Sequence, residues 1–405
     1  MYLAQGYLRI SGAIAQSLLT FNLIVSFYYM LYAINRYKFS IYMKVLSWFL
    51  IMFTAYGVVL ILGHERMVVD LSSRMVRVDN FNYLKNIYIS LLPIFPFYVF
   101  TRRGMITDQT FRRWLLVFLL TATWSFFDLQ NKYLLMALKA GNKREEITNN
   151  MGYLFMSLLP MTVFLRKRPF VMFMVLVYCM MFLVMGMKRG AIIIGAVTLV
   201  ILAFRMMGGF SRFINKKYLI LACVLILSGY LIVSYYMENS EYFNYRLEQT
   251  LEGESSGRDE LFSTFVNHII YKTGPWHFFV GSGALATLKI ANQYAHNDWL
   301  ELAINQGVLG LLVYILYWLA AYKEWKSSDR NQLYSLAMML VFFDYFLKSF
   351  FSMSYSNMEI FATMTLGYCL AKNQMIKNIR QKKIEDELTR NICNHVTDKK
   401  LHSAS

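Results

Sequence analysis

The chain has 405 residues, of which 57% are apolar and only 16% are charged. Long apolar windows that are almost free of charge exclude a soluble globular protein and indicate a polytopic membrane protein. The net charge of +17 does not require a nucleic-acid partner, because membrane topology explains where the basic residues lie.

The apolar windows predict an all-α fold with eleven membrane-spanning helices. These lie near residues 13–34, 42–62, 82–100, 114–130, 151–165, 169–187, 190–205, 217–237, 307–323, 333–353 and 357–371. The windows at 151–165 and 357–371 are short for a hydrocarbon layer of about 30 Å. The first window lacks the basic start and small-residue cleavage site of a signal peptide, so it is interpreted as a true span.

Basic clusters alternate with the predicted spans and set their orientation. With the C-terminus inside, nearly every inner connection carries such a cluster, whereas the outer segments hold fewer basic residues and more acids. This positive-inside bias places the N-terminus outside and predicts long outer segments at 63–82, 130–150 and 238–306. The chain then divides into one membrane domain, 1–371, and a basic cytoplasmic tail, 372–405, which is attracted to anionic lipid headgroups.

The longest outer segment, 238–306, begins acidic and then becomes apolar and aromatic in LFSTFVNHIIYKTGPWHFFVGSG. Such a stretch is expected to pack as short helices on the membrane face or between spans. Gly281 and Gly283 of its VGSG are interpreted as a tight turn.

The end of this segment, AHNDWLELAINQGVLG, contains a candidate catalytic residue, His296. Asn297 is predicted to cap a helix whose first turn holds Asp298 and Glu301, because carboxylates complement the helix dipole there. The positive potential at that helix start favours a neutral imidazole that accepts a proton, and the same N–H groups suit a phosphate. The alternative is a histidine that only packs at the membrane interface.

Three basic residues are candidate anion ligands. Arg258 follows the turn-forming residues Ser255 and Ser256, and its guanidinium can bind phosphate oxygens or pair with a nearby carboxylate. Lys188 and Arg189 lie in an outer turn, GMKRGA, against the positive-inside trend. Cations at the membrane edge usually have a partner, so these two residues indicate an anionic ligand or a carboxylate.

Other polar residues give weaker signals. Asp344 and Lys348 lie four residues apart within a span, and this spacing favours an ion pair that neutralises itself over a functional site. Outer tyrosines such as Tyr294 are candidates to stack on sugar rings. The outer segments contain no P-loop lysine, DxD-type or zinc motif, which predicts a reaction without a metal or cofactor.

The order of these motifs resembles the O-antigen polymerase and O-antigen ligase family. The resemblance covers residues 170–325 and rests on an outward KRG, a long outer loop with SGR and GSG, then HNDWL and GVLG. It implies a metal-independent glycosyltransferase in the cytoplasmic membrane that moves a glycan from undecaprenyl diphosphate on the outer face. By this resemblance Arg189 and Arg258, helped by Lys188, hold the diphosphate and His296 acts on the acceptor hydroxyl. The supporting residues are Asn297, Asp298 and Tyr294.

Within that family, polymerisation of repeat units of an O-antigen, capsule or exopolysaccharide is favoured over ligation to lipid A core, since nothing in the sequence identifies a lipid A acceptor. The implied partners are the undecaprenyl-diphosphate-linked oligosaccharide and membrane lipid, with a chain-length regulator and a flippase beside them. A flippase function for this chain itself predicts repeat symmetry and broken helices. Pro93 and Pro96 share one span, and no other span repeats their pattern. A scaffold without activity would leave the outer charges replaceable.

Overall fold

The computed structural model describes residues 12–63, 67–71, 74–78, 80–139, 149–207, 216–252, 257–328 and 332–402. Ser255 and Ser256, which were predicted to form a turn, lie outside these ranges. Within them the chain is helical apart from one two-stranded hairpin, and seven helices are long and apolar enough to cross a membrane. The prediction of a helical membrane protein is therefore confirmed at this level.

The first half of the chain forms the helices on which the later segments pack. In chain order these elements are α1 Gly12–Arg36, α2 Ile41–Leu62, β1 Met67–Leu71, β2 Arg74–Val78, α3 Asn80–Leu91, α4 Ile94–Arg102, α5 Asp108–Lys139, α6 Gly152–Leu158, a 3-10 helix Leu159–Leu165, α7 Pro169–Met185 and α8 Arg189–Met206. Ser40 caps α2 by accepting a hydrogen bond from the Met43 N–H. Because Pro93 has no N–H to donate, the span predicted at 82–100 is divided into α3 and α4.

The second half contains the predicted outer loop and the last spans. Its elements are α9 Lys216–Asn239, α10 Glu241–Leu251, α11 Arg258–Asn267, a π-helix His268–Lys272, α12 Pro275–Val280, α13 Ala286–Ala291, α14 Asp298–Asn305, α15 Gly307–Lys326, α16 Leu333–Phe351 and α17 Ile360–His402. The loop at 238–306 forms short helices, as its apolar sequence predicted. The tail does not begin a new element, because α17 runs through it without interruption.

Each of the eleven predicted spans overlaps one of these helices or a consecutive pair. The seven that meet the length and hydropathy requirement lie in α1, α2, α3 with α4, α8, α9, α15 and α16. The segment formed by α6 and its 3-10 continuation is apolar but shorter, as is α7. The other two predicted spans lie in α5 and the first part of α17.

The core lies between α4, α6, α16 and the start of α17, whereas α1 and α9 expose most of their apolar side chains at the periphery. The backbones of α17 and α4 touch at Gly367, where a Cβ atom would overlap the carbonyl oxygen of Ile94. Small residues allow this close approach, which supplies packing energy where lipid provides no hydrophobic driving force.

The two ends of the bundle differ in composition. At the end predicted to be inner, the Arg102 and Arg103 guanidinium groups lie 5.1 and 4.6 Å from the ring centres of Tyr37 and Tyr32. The helix ends predicted to be outer meet at the opposite end, around a polar cavity.

Candidate functional site

A cavity of about 520 Å³ lies where α3 and the starts of α6 and α8 meet the segment 285–301 and the connection between α16 and α17. Several tyrosine, asparagine and serine side chains line it, together with a smaller set of charged or titratable groups. The charged or titratable groups that define its chemistry are Lys188, Tyr294, His296, Glu301, Lys348 and Glu359.

The helix start predicted at Asn297 is present. Asn297 has an extended backbone, and its Oδ1 accepts hydrogen bonds from the N–H groups of Trp299 at 2.9 Å and Leu300 at 3.2 Å. These bonds satisfy two of the donors that a helix start leaves unpaired, which confirms the predicted cap. The Asn297 Nδ2 also donates to the carbonyl oxygen of Phe350 at 3.3 Å, so α14 is joined to the end of α16.

His296 is exposed to the cavity and has a φ of 50°, in the left-handed region that few residues with a side chain adopt. Desolvation lowers its pKa, and the positive charges of Arg258 and Lys188 lower it further. The imidazole is therefore neutral near pH 7, as predicted. Desolvation is the largest of these causes.

Arg258 begins α11 and is exposed, and its Nη1 donates to the carbonyl oxygen of Phe351 at 3.0 Å. The preceding Gly257 has a φ of 76°, so the chain turns sharply there. Arg258 is not one of the described residues that line the cavity, but its charge acts on His296 within it. Arg258 thus binds the end of α16 through one guanidinium nitrogen, and its positive charge lowers the pKa of His296 in the cavity.

The structure separates the roles of Lys188 and Arg189. Lys188 lies just before α8 with an extended backbone and lines the cavity, whereas Arg189 begins the helix and is not among the lining residues of the described chain. At the next position, a side chain on Gly190 would overlap the Tyr153 hydroxyl. The glycine of KRG therefore allows α6 and α8 to approach closely beside the cavity.

Asp298 lies in the first turn of α14, as predicted, but it is not among the described residues that line the cavity. It is fully buried, and its Oδ1 accepts from the Ser354 N–H at 2.9 Å while its Oδ2 accepts from the hydroxyls of Tyr314, at 2.6 Å, and Ser354. Burial raises its pKa to about 6, although the hydrogen bonds from Ser354 and Tyr314 oppose that shift. Asp298 is a structural residue that joins α14 to α15 and to the connection before α17.

Glu301 fixes the backbone immediately before His296. Its carboxylate is buried, with Oε2 accepting from the Ala295 N–H at 2.9 Å and Oε1 from the Thr287 hydroxyl at 2.6 Å and Asn305 Nδ2 at 3.0 Å. Burial raises its pKa. Because three donors on the loop converge on one carboxylate, Glu301 positions the histidine rather than reacting itself.

The prediction that Asp344 and Lys348 form an ion pair is wrong. In the described chain, the buried Lys348 Nζ contacts the Glu359 carboxylate at 3.0 and 3.2 Å, whereas Asp344 accepts from the Thr198 hydroxyl of α8. The Lys348 Nζ also donates to the Asn357 carbonyl at 2.6 Å. Four-residue spacing makes two side chains neighbours, but the chain reversal after α16 brings a carboxylate to the ammonium group from another direction.

Sequence reasoning missed Glu359. The only signal for it was a single acid directly before an apolar segment, and such an acid has many possible partners.

The glycine turn is confirmed as a structural feature. The N–H groups of Ser282 and Gly283 donate to the carbonyl oxygens of Ile304 at 2.8 Å and Asn305 at 3.0 Å, and Gly281 has a φ of 81°. A Cβ at Gly281 would overlap the Asn305 carbonyl, whereas the position beside Gly283 is open. The turn therefore packs tightly on the end of α14, the helix that begins next to His296.

Tyr294, the candidate sugar-stacking residue, lines the cavity, and burial raises its pKa. No three His, Cys, Asp or Glu side chains of the described ranges are placed to hold a metal ion together.

The chain matches no protein-family model, no curated protein and no solved structure. The groups that define the chemistry of the site are a neutral imidazole, nearby basic side chains, and a wall of hydroxyl, amide and aromatic groups.

Proposed function

We propose that this protein is a polysaccharide polymerase, a glycosyltransferase that moves a glycan from undecaprenyl diphosphate onto a second lipid-linked repeat unit. The observation that carries the proposal is the placement of a neutral, exposed His296 in one cavity with Lys188, within the field of Arg258. A volume of about 520 Å³ is within the range of sites that enclose a small ligand.

In the proposed reaction, the acceptor hydroxyl attacks the anomeric carbon of the donor sugar while the bond from that carbon to the diphosphate oxygen breaks. The neutral His296 imidazole takes the hydroxyl proton. Lys188 and Arg258 stabilise the negative charge that develops on the leaving diphosphate, and Arg189, which follows Lys188 directly, is proposed as a further phosphate ligand. These cations would supply the charge that a metal ion supplies in other glycosyltransferases.

The polar wall of the cavity is suited to a glycan. Asn86 and Asn150 are exposed and offer hydrogen-bond donors and acceptors for sugar hydroxyls, and the partly buried Tyr294 offers a stacking surface. These side chains are the proposed contacts for the first sugars next to the diphosphate.

The proposal includes a topology of eleven spans, with the cavity at the outer face of the cytoplasmic membrane and the C-terminus inside. It is supported by the convergence at one cavity of the helix ends that the positive-inside bias assigns to the outside. A flippase and a chain-length regulator are the proposed protein partners, because the substrate must first reach the outer face and the product has a controlled length.

The test uses His296→Ala and Arg258→Ala in a strain that depends on this protein for its surface glycan. Both variants should reach the membrane and abolish long-chain glycan on a gel. His268→Ala is the matched control, because His268 belongs to the same loop but does not line this cavity. Normal polymer from the two variants at full membrane levels would contradict the site assignment.

The same strain separates the alternative functions. Loss of a polymerase leaves single units on their final acceptor, whereas loss of a ligase leaves polymer on undecaprenyl diphosphate. Accumulation of lipid-linked units on the inner leaflet would instead indicate a flippase.

A further inference from the structure

A second cavity, of about 550 Å³, lies across the turn 281–285 from the cavity that holds His296. Residues 281–284 line this second cavity, and Leu285 lines the first. One short, tightly packed turn therefore separates two spaces of similar size. The second space is called the α2 groove here, because the outer half of α2 forms one of its walls.

The α2 groove opens onto lipid-facing surface. Ala55 and Val59 are exposed on α2, a helix long and apolar enough to cross a membrane, and the Val59 side chain is 70% exposed. Trp276 and Val280 of α12 form the facing wall, and the Trp276 indole is 71% exposed. The Tyr56 hydroxyl donates to the Val280 carbonyl and joins the two walls.

The other end of the groove is polar and basic. His277, Ser282 and Lys289 line it, and the Lys289 side chain is exposed. An apolar wall that continues into the lipid and a basic end at the aqueous side together fit an amphiphile with an anionic headgroup.

The surrounding surface places this groove at the level of the headgroups. The loop that forms one wall of the groove exposes a series of large apolar side chains, and most are aromatic. These are Phe262, Ile270, Tyr271, Phe278 and Phe279. Exposed aromatic side chains of this kind prefer the membrane interface, so the loop rests on the bilayer with the groove facing it.

We propose that the α2 groove binds the phosphate and the first isoprenoid units of a second polyprenyl lipid, the acceptor of the glycosyl transfer. The inference rests on the proposed function, because a polymerase joins two lipid-linked molecules and each needs its own lipid site. The first cavity supplies Lys188 to the donor diphosphate and His296 to the acceptor hydroxyl, whereas the α2 groove supplies Lys289 and an apolar wall to the acceptor lipid. The turn at 281–284 keeps the two lipids apart.

The experiment measures lipid binding to the purified full-length chain by native mass spectrometry, with undecaprenyl phosphate as the probe. The wild type should bind two molecules. Lys289→Gln should weaken one of the two sites by about tenfold, the value of one charge-assisted phosphate contact. Val59→Trp, which fills the groove from the lipid side, should weaken the same site.

Matched controls lie close to each substituted residue. Val58→Trp changes the same residue type on the same helix at a position that is 44% exposed and does not line the groove. Lys272→Gln removes an exposed lysine from the same loop outside the groove. Both controls should bind two lipids, and Lys188→Gln should weaken the other site instead.

Equal binding by Val59→Trp, Lys289→Gln and their controls would overturn the inference. Displacement of the probe from the groove by an equal concentration of phosphatidylglycerol would also overturn it, because the groove would then bind ordinary phospholipid. Failure of the proposed function looks different: both lipids would still bind, while His296→Ala would leave the polymer normal.

Discussion

Removal of the Glu359 carboxylate is expected to destabilise the protein strongly, because it leaves the Lys348 ammonium group buried without a counter-charge. The Lys348 side chain is 2% exposed and the Glu359 side chain 16%. Loss of one partner from a buried pair costs about 3–5 kcal/mol. We expect about 3 kcal/mol for Glu359→Leu, at the lower end of that range. The Asn357 carbonyl at 2.6 Å and the Tyr153 ring at 4.6 Å still contact the ammonium group.

The assay is a double-mutant cycle with Glu359→Leu, Lys348→Met and the double variant, measured by unfolding in detergent micelles. Apolar replacement of both partners removes the uncompensated charge, so the double variant should lie within about 1 kcal/mol of the wild type. The magnitude of the coupling energy between the two positions should then be at least about 2 kcal/mol.

Asp344→Asn is the control that distinguishes the two possible partners of Lys348. It keeps an acceptor for the Thr198 hydroxyl, so its effect should be about 1 kcal/mol or less. If Glu359→Leu unfolds like the wild type while Asp344→Asn is strongly destabilised, the pairing described here is refuted.

Three further predictions concern the loop that carries His296. Asn297→Ala should cost about 1 kcal/mol through loss of the helix cap, and Asn297→Asp should cost less; thermal unfolding measures both. Gly281→Ala should destabilise the protein more than Gly283→Ala, because only the former meets backbone atoms; equal losses would contradict that packing. Burial raises the pKa of Asp298 from 3.8 to about 6, so the folded state binds this proton more tightly than the unfolded state. The stability contributed by protonated Asp298 should therefore be present below pH 4 and fall by about 3 kcal/mol as the pH rises to 6. Asp298→Asn should remove that part of the pH dependence in unfolding measurements from pH 4 to 7.

The seven long apolar helices and the cap at Asn297 were accessible from the sequence because each depends on local information. The length and hydropathy of an apolar window can be read directly from its residues. An asparagine just before an apolar helix is a preferred N-cap residue. The same holds for the short helices between residues 257 and 305, which the apolar sequence of that segment predicted.

The contacts between distant segments were not accessible in this way. Lys348 has Asp344 one turn away in sequence, yet its partner Glu359 lies beyond a chain reversal that no local pattern reports. Asp298 and Glu301 look alike as first-turn carboxylates, but their partners come from different segments. Whether Lys188 or Arg189 lines the cavity depends on the exact start of α8, which sequence fixes only to within a residue or two.

Arg258 and Asn297 donate to consecutive carbonyl oxygens, those of Phe351 and Phe350, at the end of α16. A helix end leaves its last carbonyl groups without partners, so the two loop residues complete the final turn of α16 while that turn holds them in place. The last turn of α16 and the loop that carries Arg258 and Asn297 therefore stabilise each other, and the two should unfold locally together as one cooperative unit. Backbone amides in the last turn of α16 and in the first turn of α14 should therefore exchange with solvent at coupled rates, and a ligand that orders one should protect both.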